Sequence, residues 1–303
     1  MSVDSYFKHI NTAESLKSIA NAIHVCKQIS SIILYCPKHE YVQVFQQNFD
    51  LITAWLTNCG IVRSKIQVRH DPPTDSELKN TQQVWMWIHH LTHIRKTPYV
   101  IVLQTEQQTV HVGQCLLRIE YSPFYYFQQL KEPQIACLPI MWRIPAPIPL
   151  PHAFVSFEKR EFDILFVGSP SPRRNQHIGH LVEQGFTVHW PQGGYIWPLF
   201  NDTLVQALLK ARVFLNITYG DPRALETHRI TTAAAQPTVV VSEKGQDTAL
   251  QEFMNDAVVF TALNDLVATL RIYCKNKESW QAQIEKQDSF WKRSRIERVL
   301  NKF

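Results

Sequence analysis

Residues 162–190 read FDILFVGSPSPRRNQHIGHLVEQGFTVHW, and this stretch decides the fold. A short apolar run ends at Gly168 and is followed by a stiff turn that contains two prolines. Apolar side chains at helical spacing continue as far as Gly185, after which a second apolar run begins. Strand, turn, helix and strand form a βαβ unit, and such units build parallel sheets that bind ligands at the carboxyl ends of their strands.

Two arginines, Arg173 and Arg174, stand where the predicted helix begins. Backbone N–H groups at a helix N-terminus bind anions, and guanidinium groups bind phosphate with paired hydrogen bonds. The preceding turn supplies Gly168 and Ser169 to the same crevice. The sequence therefore predicts a phosphate-binding site at the end of the first strand of this unit.

Residues 213–243 read VFLNITYGDPRALETHRITTAAAQPTVVVSE and predict a strand, a helix and a strand. Glu226 and Arg229 are three residues apart and share one face of the helix. A carboxylate there can accept the two hydroxyls of a ribose, and an arginine can bind a diphosphate. A surface ion pair is the alternative for these two residues alone, but their position between two strand ends favours a binding site.

Adjacent glycines and aromatics follow the second predicted strand, in PQGGYIWPLF at 191–200. A loop of this kind at a strand end, with Gly194 and Tyr195, is suited to lie against a base or a sugar. A tight turn packed over aromatic side chains is the alternative.

The first half of the chain also alternates strands and helices. Strands are predicted at 29–36, 65–69, 99–104 and 135–141, and helices at 1–28, 41–56, 77–94 and 111–118. This alternation predicts a second doubly wound α/β unit. The proline-rich segment WRIPAPIPLP at 142–151 is typical of a stiff linker, which places the domain boundary near residue 147.

Two groups of polar residues in this half are candidate sites. Glu106 comes just after the strand at 99–104, where a carboxylate faces any cleft that the sheet forms, and a solvated loop residue is the alternative. His89, His90 and His93 lie on the predicted helix 77–94. We interpret them as a surface or packed cluster rather than a zinc site, because no Cys, Asp or Glu ligand converges on them.

The totals describe an ordinary globular chain: 303 residues, 45% hydrophobic and 19% charged. That length suits one large domain or two of about 150 residues. The net charge of +5 is spread without a Lys/Arg block, which argues against a nucleic-acid partner. Six cysteines without a CxxC pair indicate reduced core thiols and a cytoplasmic protein. The start MSVDSYFKHI is not a signal peptide, and no apolar run reaches the ~18 residues of a membrane span.

The order of these motifs resembles that of GT-B glycosyltransferases, and especially the compact group related to the spore-coat glycosyltransferase-like proteins. The segments that carry the resemblance are FVGSPSPRR, LETHRI and TTAAAQPTVVVSE in the second half and QTEQ, EYSPFYYFQQL and LPIMW in the first. No single motif is diagnostic, and their order over about two thirds of the chain carries the comparison.

The resemblance implies an α/β protein of two Rossmann-like domains facing a central cleft. It implies an acceptor-side domain at 1–146, a nucleotide-sugar-binding domain at 147–285 and a C-terminal helix at 286–303 that crosses back onto the first domain. The apolar residues of the tail fit this last expectation: Trp280, Phe290, Trp291, Ile296 and Leu300. The implied activity is transfer of a monosaccharide from a nucleoside diphosphate sugar, with a uridine diphosphate sugar expected, to a hydroxyl of a glycan or other acceptor.

The resemblance also assigns roles to residues. It places Glu226 at the ribose, Gly194 and Tyr195 near the base, and three arginines near the diphosphate: Arg173, Arg174 and Arg229. Many retaining members have two glutamates seven residues apart. This sequence departs from that pattern, because Ala233 stands seven residues after Glu226. Retention or inversion of configuration therefore stays open.

An inverting enzyme needs a base to deprotonate the acceptor hydroxyl. Glu106 is the candidate, with Asp71 and His70 behind it. No Asp-x-Asp occurs in a strand-end loop, so neither a metal nor another cofactor is expected. Arginines and helix N-termini would then neutralise the leaving diphosphate.

Three other functions are alternatives. A non-catalytic nucleotide-sugar-binding protein would keep Glu226 and the arginines but lack a base. A nicotinamide-dependent oxidoreductase is disfavoured because neither half has G-x-G-x-x-G after its first strand. A nucleic-acid-binding protein would use aromatics such as those at 125–127, which fit a core better.

Overall fold

The computed structural model describes residues 13–35, 42–88, 100–104, 115–120, 135–137, 155–191, 201–220 and 225–293. The chain divides into two compact units, Met1–Trp142 with Ile296–Phe303 and Arg143–Arg295. The predicted linker at 142–151 lies outside the described residues. Within the described part, none of the helices combines the length and the apolar character that a membrane crossing requires.

The first unit contains a parallel sheet. Its strands are β1 (Ser31–Tyr35), β2 (Ile66–Arg69), β3 (Gln83–Ile88), β4 (Val100–Gln104), β5 (Leu117–Glu120) and β6 (Ile135–Cys137). Its described helices are α1 (Ala13–Gln28), α2 (Val42–Asn58) and α3 (Asp75–Leu78). The strand order is β2-β1-β3-β4-β5-β6, so the winding direction reverses between β1 and β3. This doubly wound order confirms the predicted α/β class of the first half.

The predicted helix at 77–94 is wrong over its central part, because residues 83–88 form β3. β3 pairs with β1 on one side and β4 on the other. Its consecutive side chains Val84, Trp85 and Met86 are all buried, as in a strand covered on both faces. A continuous apolar run carries no period of two, so periodicity alone cannot separate such a strand from a buried helix.

The helical character at the start of that range belongs to the short helix α3. The hydroxyl of Thr74 accepts a hydrogen bond from the N–H of Glu77, and the Glu77 carboxylate accepts one from the N–H of Thr74. This reciprocal capping box fixes the beginning of a single turn. The predicted helix at 111–118 is also wrong where it is described, since Leu117 and Arg118 belong to β5.

The second unit is a second parallel sheet of the same kind. Its strands are β7 (Phe162–Phe166), β8 (Val188–His189), β9 (Ala211–Asn216), β10 (Val239–Glu243) and β11 (Val259–Thr261). Its helices are α4 (Pro172–Glu183), α5 (Asn201–Lys210), α6 (Thr227–Ala234), α7 (Thr248–Met254), α8 (Leu266–Lys275) and α9 (Lys277–Arg293). The order β11-β10-β9-β7-β8 confirms the predicted βαβ unit, with β7 and β8 paired in parallel.

One face of this sheet buries a continuous apolar core under three helices. Ile178 of α4, Leu270 of α8 and Trp280 of α9 pack there against strand residues such as Phe166 and Leu215. Among the described residues, four cysteines are buried and free, in agreement with the predicted core thiols: Cys26, Cys59, Cys115 and Cys274.

The C-terminal helix α9 packs on the second unit over its described length. The indole N–H of Trp280 donates to the carbonyl of Arg212 at 2.8 Å, and that of Trp291 to the carbonyl of Ala234 at 2.6 Å. Phe290 lies edge-on to Phe253, at 5.4 Å between ring centroids.

Trp280, Phe290 and Trp291 of the predicted tail therefore pack on the second unit, and the crossing of the helix at 286–303 onto the first domain stays a prediction. A single residue, Asn276, separates α8 from α9, and so short a connection keeps consecutive helices adjacent in space. Residues 294–303 lie outside the described part of the chain.

Candidate functional site

The candidate site lies at the carboxyl edge of the second sheet. The strand order reverses between β7 and β9, and in open α/β sheets a ligand crevice forms beyond the strand ends at such a reversal. Gly168 and Ser169 follow β7, and Thr218 follows β9. Two helices also begin at this edge, α4 after the first loop and α6 after the second. The fold therefore brings both motifs identified in the sequence to one place.

Arg174 holds the two loops together from within. Its side chain is 1% exposed, and its Nε donates to the carbonyl of Ile217 at 2.9 Å. Its Nη1 donates to the carbonyl of Ser169 at 3.1 Å, and its Nη2 to both carboxylate oxygens of Glu226 at 3.0 and 3.1 Å. Burial lowers the pKa of Arg174 to about 10, although the Glu226 carboxylate acts against this effect. The guanidinium stays charged at neutral pH.

Glu226 stands at the N-cap position of α6 and is shared by two arginines. Its Oε2 accepts a hydrogen bond from Nη1 of Arg229 at 2.6 Å, in addition to the bonds from Arg174. Glu226 and Arg229 are each 18% exposed, so both reach the surface of the crevice. Glu226 and Arg229 thus form the i,i+3 ion pair that was the alternative to a binding site, and the carboxylate is oriented by two cations.

Arg173 points to the neighbouring strand. Its guanidinium forms a two-bonded ion pair with Glu243, the last residue of β10, and donates to the carbonyl of Thr218 at 3.1 Å. Glu243 is 4% exposed, whereas Arg173 is 26% exposed. The hydroxyl of Thr218 also donates to the Glu243 carboxylate, at 2.9 Å. The guanidinium of Arg173 is thus held in place by Glu243 and Thr218, while part of its side chain stays exposed to solvent.

Gly168 lies directly against the guanidinium groups of Arg174 and Arg229. A Cβ atom at this position would lie 3.0 Å from Nη1 of Arg174 and 3.2 Å from Nη1 of Arg229. The carbonyl of Gly168 accepts a hydrogen bond from the indole of Trp190 at 3.0 Å. The absence of a side chain lets both cations lie against the strand end.

The start of α4 is fixed by Ser171 and Pro172. The Ser171 hydroxyl accepts a hydrogen bond from the N–H of Arg174 at 3.2 Å, and Pro172 occupies the first turn of the helix. The same hydroxyl donates to the carbonyl of Tyr219 at 3.3 Å. These bonds direct the N-terminus of α4 toward the crevice, where it favours an anion.

The electrostatic balance of the crevice is positive. Three arginines and two glutamates form two ion-paired groups at this edge, Arg173 with Glu243 and the other two arginines with Glu226. His177, one turn into α4, has its pKa lowered by burial and by the charge of Arg173, which keeps it neutral at pH 7. Among the described residues, no three His, Cys, Asp or Glu side chains are grouped as metal ligands.

Sequence reasoning did not single out Glu243 and Tyr219, which contact Arg173 and Arg174 in the structure. The strand that ends in Ser-Glu is recognisable as a motif, but its pairing with Arg173 depends on β10 lying beside β9, which a single sequence does not reveal. Tyr219 looks like an ordinary turn residue next to Gly220. It has no sequence signature apart from following a buried strand.

Several predicted site residues lie outside the described part of the chain. These are Glu106, Gly194 and Tyr195, and the histidine cluster at 89, 90 and 93, predicted to be a surface or packed group, lies there too. The two residues named behind Glu106, His70 and Asp71, directly follow β2. The order β2-β1-β3-β4 puts them three strands from the end of β4, a distance of roughly 14 Å.

Comparisons with known proteins find similar solved structures but no similar sequence. No protein-family model and no curated protein matches the sequence. A crystal structure of an α1,3-fucosyltransferase with GDP-fucose matches with a TM-score of 0.56 at 10% identity, covering 96% of this chain and 98% of that one. Two further α1,3-fucosyltransferase structures match with TM-scores of 0.55 and 0.53, at 12% and 11% identity and over 93% and 96% of this chain. The matched regions cover 86% and 98%, respectively, of the chains in these two structures.

At these identities the likeness establishes the fold, which is that of GT-B glycosyltransferases with two Rossmann-like parallel-sheet units. It confirms the predicted fold class of both halves. The narrower resemblance to the spore-coat group is not tested by these structures and stays a prediction.

Proposed function

We propose that this protein is a glycosyltransferase. It transfers a monosaccharide from a nucleoside diphosphate sugar to a hydroxyl group of a glycan or another acceptor. The observation that carries the proposal is the cluster of Arg173, Arg229 and Glu226 at the strand reversal of the second sheet. The fold supports it, because three glycosyltransferase structures share that fold over most of their length.

The diphosphate is assigned to the exposed sides of Arg173 and Arg229. Both guanidinium groups reach solvent, and both are held in place by a carboxylate behind them. The N-terminus of α4 adds the partial positive charge of its backbone N–H groups. Fixed cations of this kind stabilise the charge that develops on a leaving diphosphate, so we propose that transfer needs no metal ion.

We assign Arg174 a different role from the contact with the diphosphate that the resemblance implied. Its donors are engaged by two backbone carbonyls and the Glu226 carboxylate, and its side chain is buried. We therefore assign it to positioning Glu226 and the loops after β7 and β9. Arg173 and Arg229 are the arginines that contact the diphosphate.

Glu226 is assigned to the ribose. A carboxylate offers about four lone-pair positions, and the hydrogen bonds from Arg174 and Arg229 leave capacity for sugar hydroxyls. Its partial exposure places that capacity at the surface of the crevice. A uridine diphosphate sugar is the expected donor, and the GDP-fucose of one structural neighbour makes guanosine diphosphate sugars the second class to test.

The test is a donor-binding screen followed by a transfer assay. Donors that bind raise the melting temperature, and occupancy at ~100 times the dissociation constant corresponds to about 2.7 kcal/mol of stabilisation. In the transfer assay, Glu106→Gln is expected to abolish turnover while leaving donor binding intact, since it removes the proposed base alone. Glu161→Gln, on the surface of the second unit, is the matched control.

Two outcomes would redirect the proposal. A protein that binds the donor but neither transfers nor hydrolyses it with any acceptor is the non-catalytic sugar-nucleotide binder. A protein whose melting temperature no nucleoside diphosphate changes contradicts both functions.

A further inference from the structure

An exposed aromatic ring borders the candidate site. Five large apolar side chains are markedly exposed in the described part of the chain: Val62, Val68, Val182, Tyr219 and Ile272. Tyr219 is the aromatic one of this group, with 55% of its surface open to solvent. It lies in the loop directly after β9, at the strand reversal where the arginines converge.

The ring of Tyr219 is held in place. The guanidinium carbon of Arg174 lies 5.4 Å from its centroid, in a cation–π contact, and the same carbon lies 5.3 Å from the ring of Phe166. The backbone around it is tied on both sides. Ser171 donates to the carbonyl of Tyr219, and the backbone N–H of Thr218 donates to the Glu243 carboxylate at 3.2 Å. A flat surface of fixed orientation therefore adjoins the crevice without being covered by it.

The neighbours of Tyr219 indicate what kind of flat group it would bind. Arg174 contacts Tyr219 with its guanidinium and bonds Glu226 through Nη2, so the ring and the carboxylate flank one side chain. Arg229 adjoins the same carboxylate at 2.6 Å. These contacts run in order from the planar ring of Tyr219, through Arg174, to the Glu226 carboxylate, which can accept bonds from hydroxyls, and then to the cation of Arg229. Nucleoside diphosphates present a base, a ribose and a charged tail in the matching order.

We propose that Tyr219 stacks on the nucleobase of the donor. This inference rests on the proposed function and deepens it by assigning the base to a described side chain. Stacking is tolerant of base identity, because every base has a π face, and substituting such a ring by alanine costs roughly 1–3 kcal/mol per base. Tyr219 therefore contributes affinity for the nucleoside part of the donor and none for its phosphates.

The experiment compares three ligands by calorimetry on the full chain: UDP, GDP and inorganic pyrophosphate. In Tyr219→Ala and Tyr219→Leu, affinity for UDP and GDP is expected to fall roughly five- to 150-fold, with the larger loss for the purine. Tyr219→Phe keeps the ring and is expected to stay within about twofold of wild type. Pyrophosphate affinity is expected to be unchanged in all three variants.

A control variant addresses the loss of exposed apolar surface itself. Val182 has the same 55% exposure on the outer side of α4, and Val182→Ala is expected to leave all three affinities unchanged. A misfolded variant is recognised by the loss of its cooperative thermal unfolding transition, independently of the three affinities.

Each remaining outcome decides the question. Equal nucleotide affinity in Tyr219→Ala and wild type overturns the inference. So does a parallel loss of pyrophosphate and nucleotide affinity in a folded variant, which would mean that the ring acts through Arg174 on the phosphates. If wild type binds pyrophosphate but neither nucleotide, the proposed function itself fails.

Discussion

Gly168 is the residue whose size matters most to the arrangement of the cations. An added Cβ would meet the guanidinium groups of Arg174 and Arg229 at 3.0 and 3.2 Å, closer than ordinary van der Waals contact. Arg174 is held by two carbonyls and bonds to Glu226, so a shift that relieves its contact also displaces Glu226, and Arg229 has to move as well. Gly168→Ala is therefore expected to weaken nucleoside diphosphate binding about tenfold, since misplaced charge-assisted hydrogen bonds lose part of their roughly 1.5–3 kcal/mol.

A matched glycine substitution separates this effect from backbone entropy. Gly179 lies inside α4, and a methyl group added at its Cα would have nothing within 4 Å, so Gly179→Ala adds a better helix former without a clash. It is expected to raise the free energy of unfolding by about 0.5–1 kcal/mol and to leave binding unchanged. Calorimetry on both variants measures this, and unchanged binding in Gly168→Ala would contradict the geometry described for the crevice.

At the residue scale, the structure brings together Arg173, Arg174, Glu226 and Arg229, as the sequence predicts. Strand ends in a parallel sheet meet at one edge, and helix spacing sets the i,i+3 pair, so local patterns are sufficient. Their individual orientations were not predictable. The burial of Arg174 depends on carbonyls of two separate loops, a tertiary property that no local pattern encodes.

The strand β7 is stabilised by one buried carboxylate at its beginning. Asp163 is 1% exposed and bonds to Nη1 of Arg212 at 2.6 Å, to Nζ of Lys275 at 2.8 Å and to the N–H of Thr187 at 3.0 Å. It therefore connects β7 to β9, to α8 and to the residue before β8. Burial raises the pKa of Asp163, but the bonds from Lys275, Thr187 and Arg212 outweigh it, so the pKa lies below its ordinary value.

Asp163→Asn is expected to lower the free energy of unfolding by about 3 kcal/mol at pH 7, because it leaves Arg212 without its buried counter-charge. A depressed carboxyl pKa contributes stability above the unfolded value of about 3.9 and loses it as the pH falls through the lower, folded value. The difference between wild type and Asp163→Asn should therefore shrink below about pH 4. Denaturant unfolding at neutral pH and at several values below about pH 4 measures it.

The control for this element is the exposed ion pair of Glu161 with Lys210, at 3.0 Å. Both partners are half exposed, so Glu161→Gln is expected to cost less than about 1 kcal/mol at any of these pH values. Equal effects of the two substitutions would show that the Asp163 cluster does not stabilise the strand.

At the scale of elements, the sequence predicted β7, α4, β9 and β10 closely, because each has a clear boundary in glycine, proline or polar residues. It failed at β3, where Trp85 and its neighbours are buried on both faces and show no alternation. For α9, periodicity shows that an apolar side exists but not what it covers. The packing of Trp280 on Arg212 and of Phe290 on Phe253 supplies that information for these two residues.

For the whole molecule, the two doubly wound sheets and the likeness to glycosyltransferase structures both support the proposed glycosyl transfer. The second unit presents cations and one hydroxyl acceptor at its strand reversal. The candidate base Glu106 follows β4 of the first unit and stays a prediction. The fold class was predictable from alternating strands and helices, whereas the sugar and the acceptor depend on loops whose sequences carry no general pattern.

The most direct test of the account is the affinity of the full chain for UDP and GDP in wild type, Arg229→Gln and Arg271→Gln. Arg271 lies on the exposed side of α8, bonded to Gln184 at 3.1 Å, and controls for the loss of one positive charge. The account predicts that Arg229→Gln weakens binding roughly 10- to 100-fold, as expected for a lost charge-assisted hydrogen bond, and that Arg271→Gln leaves it unchanged. Equal affinities in all three proteins would contradict a diphosphate site at this edge of the second sheet.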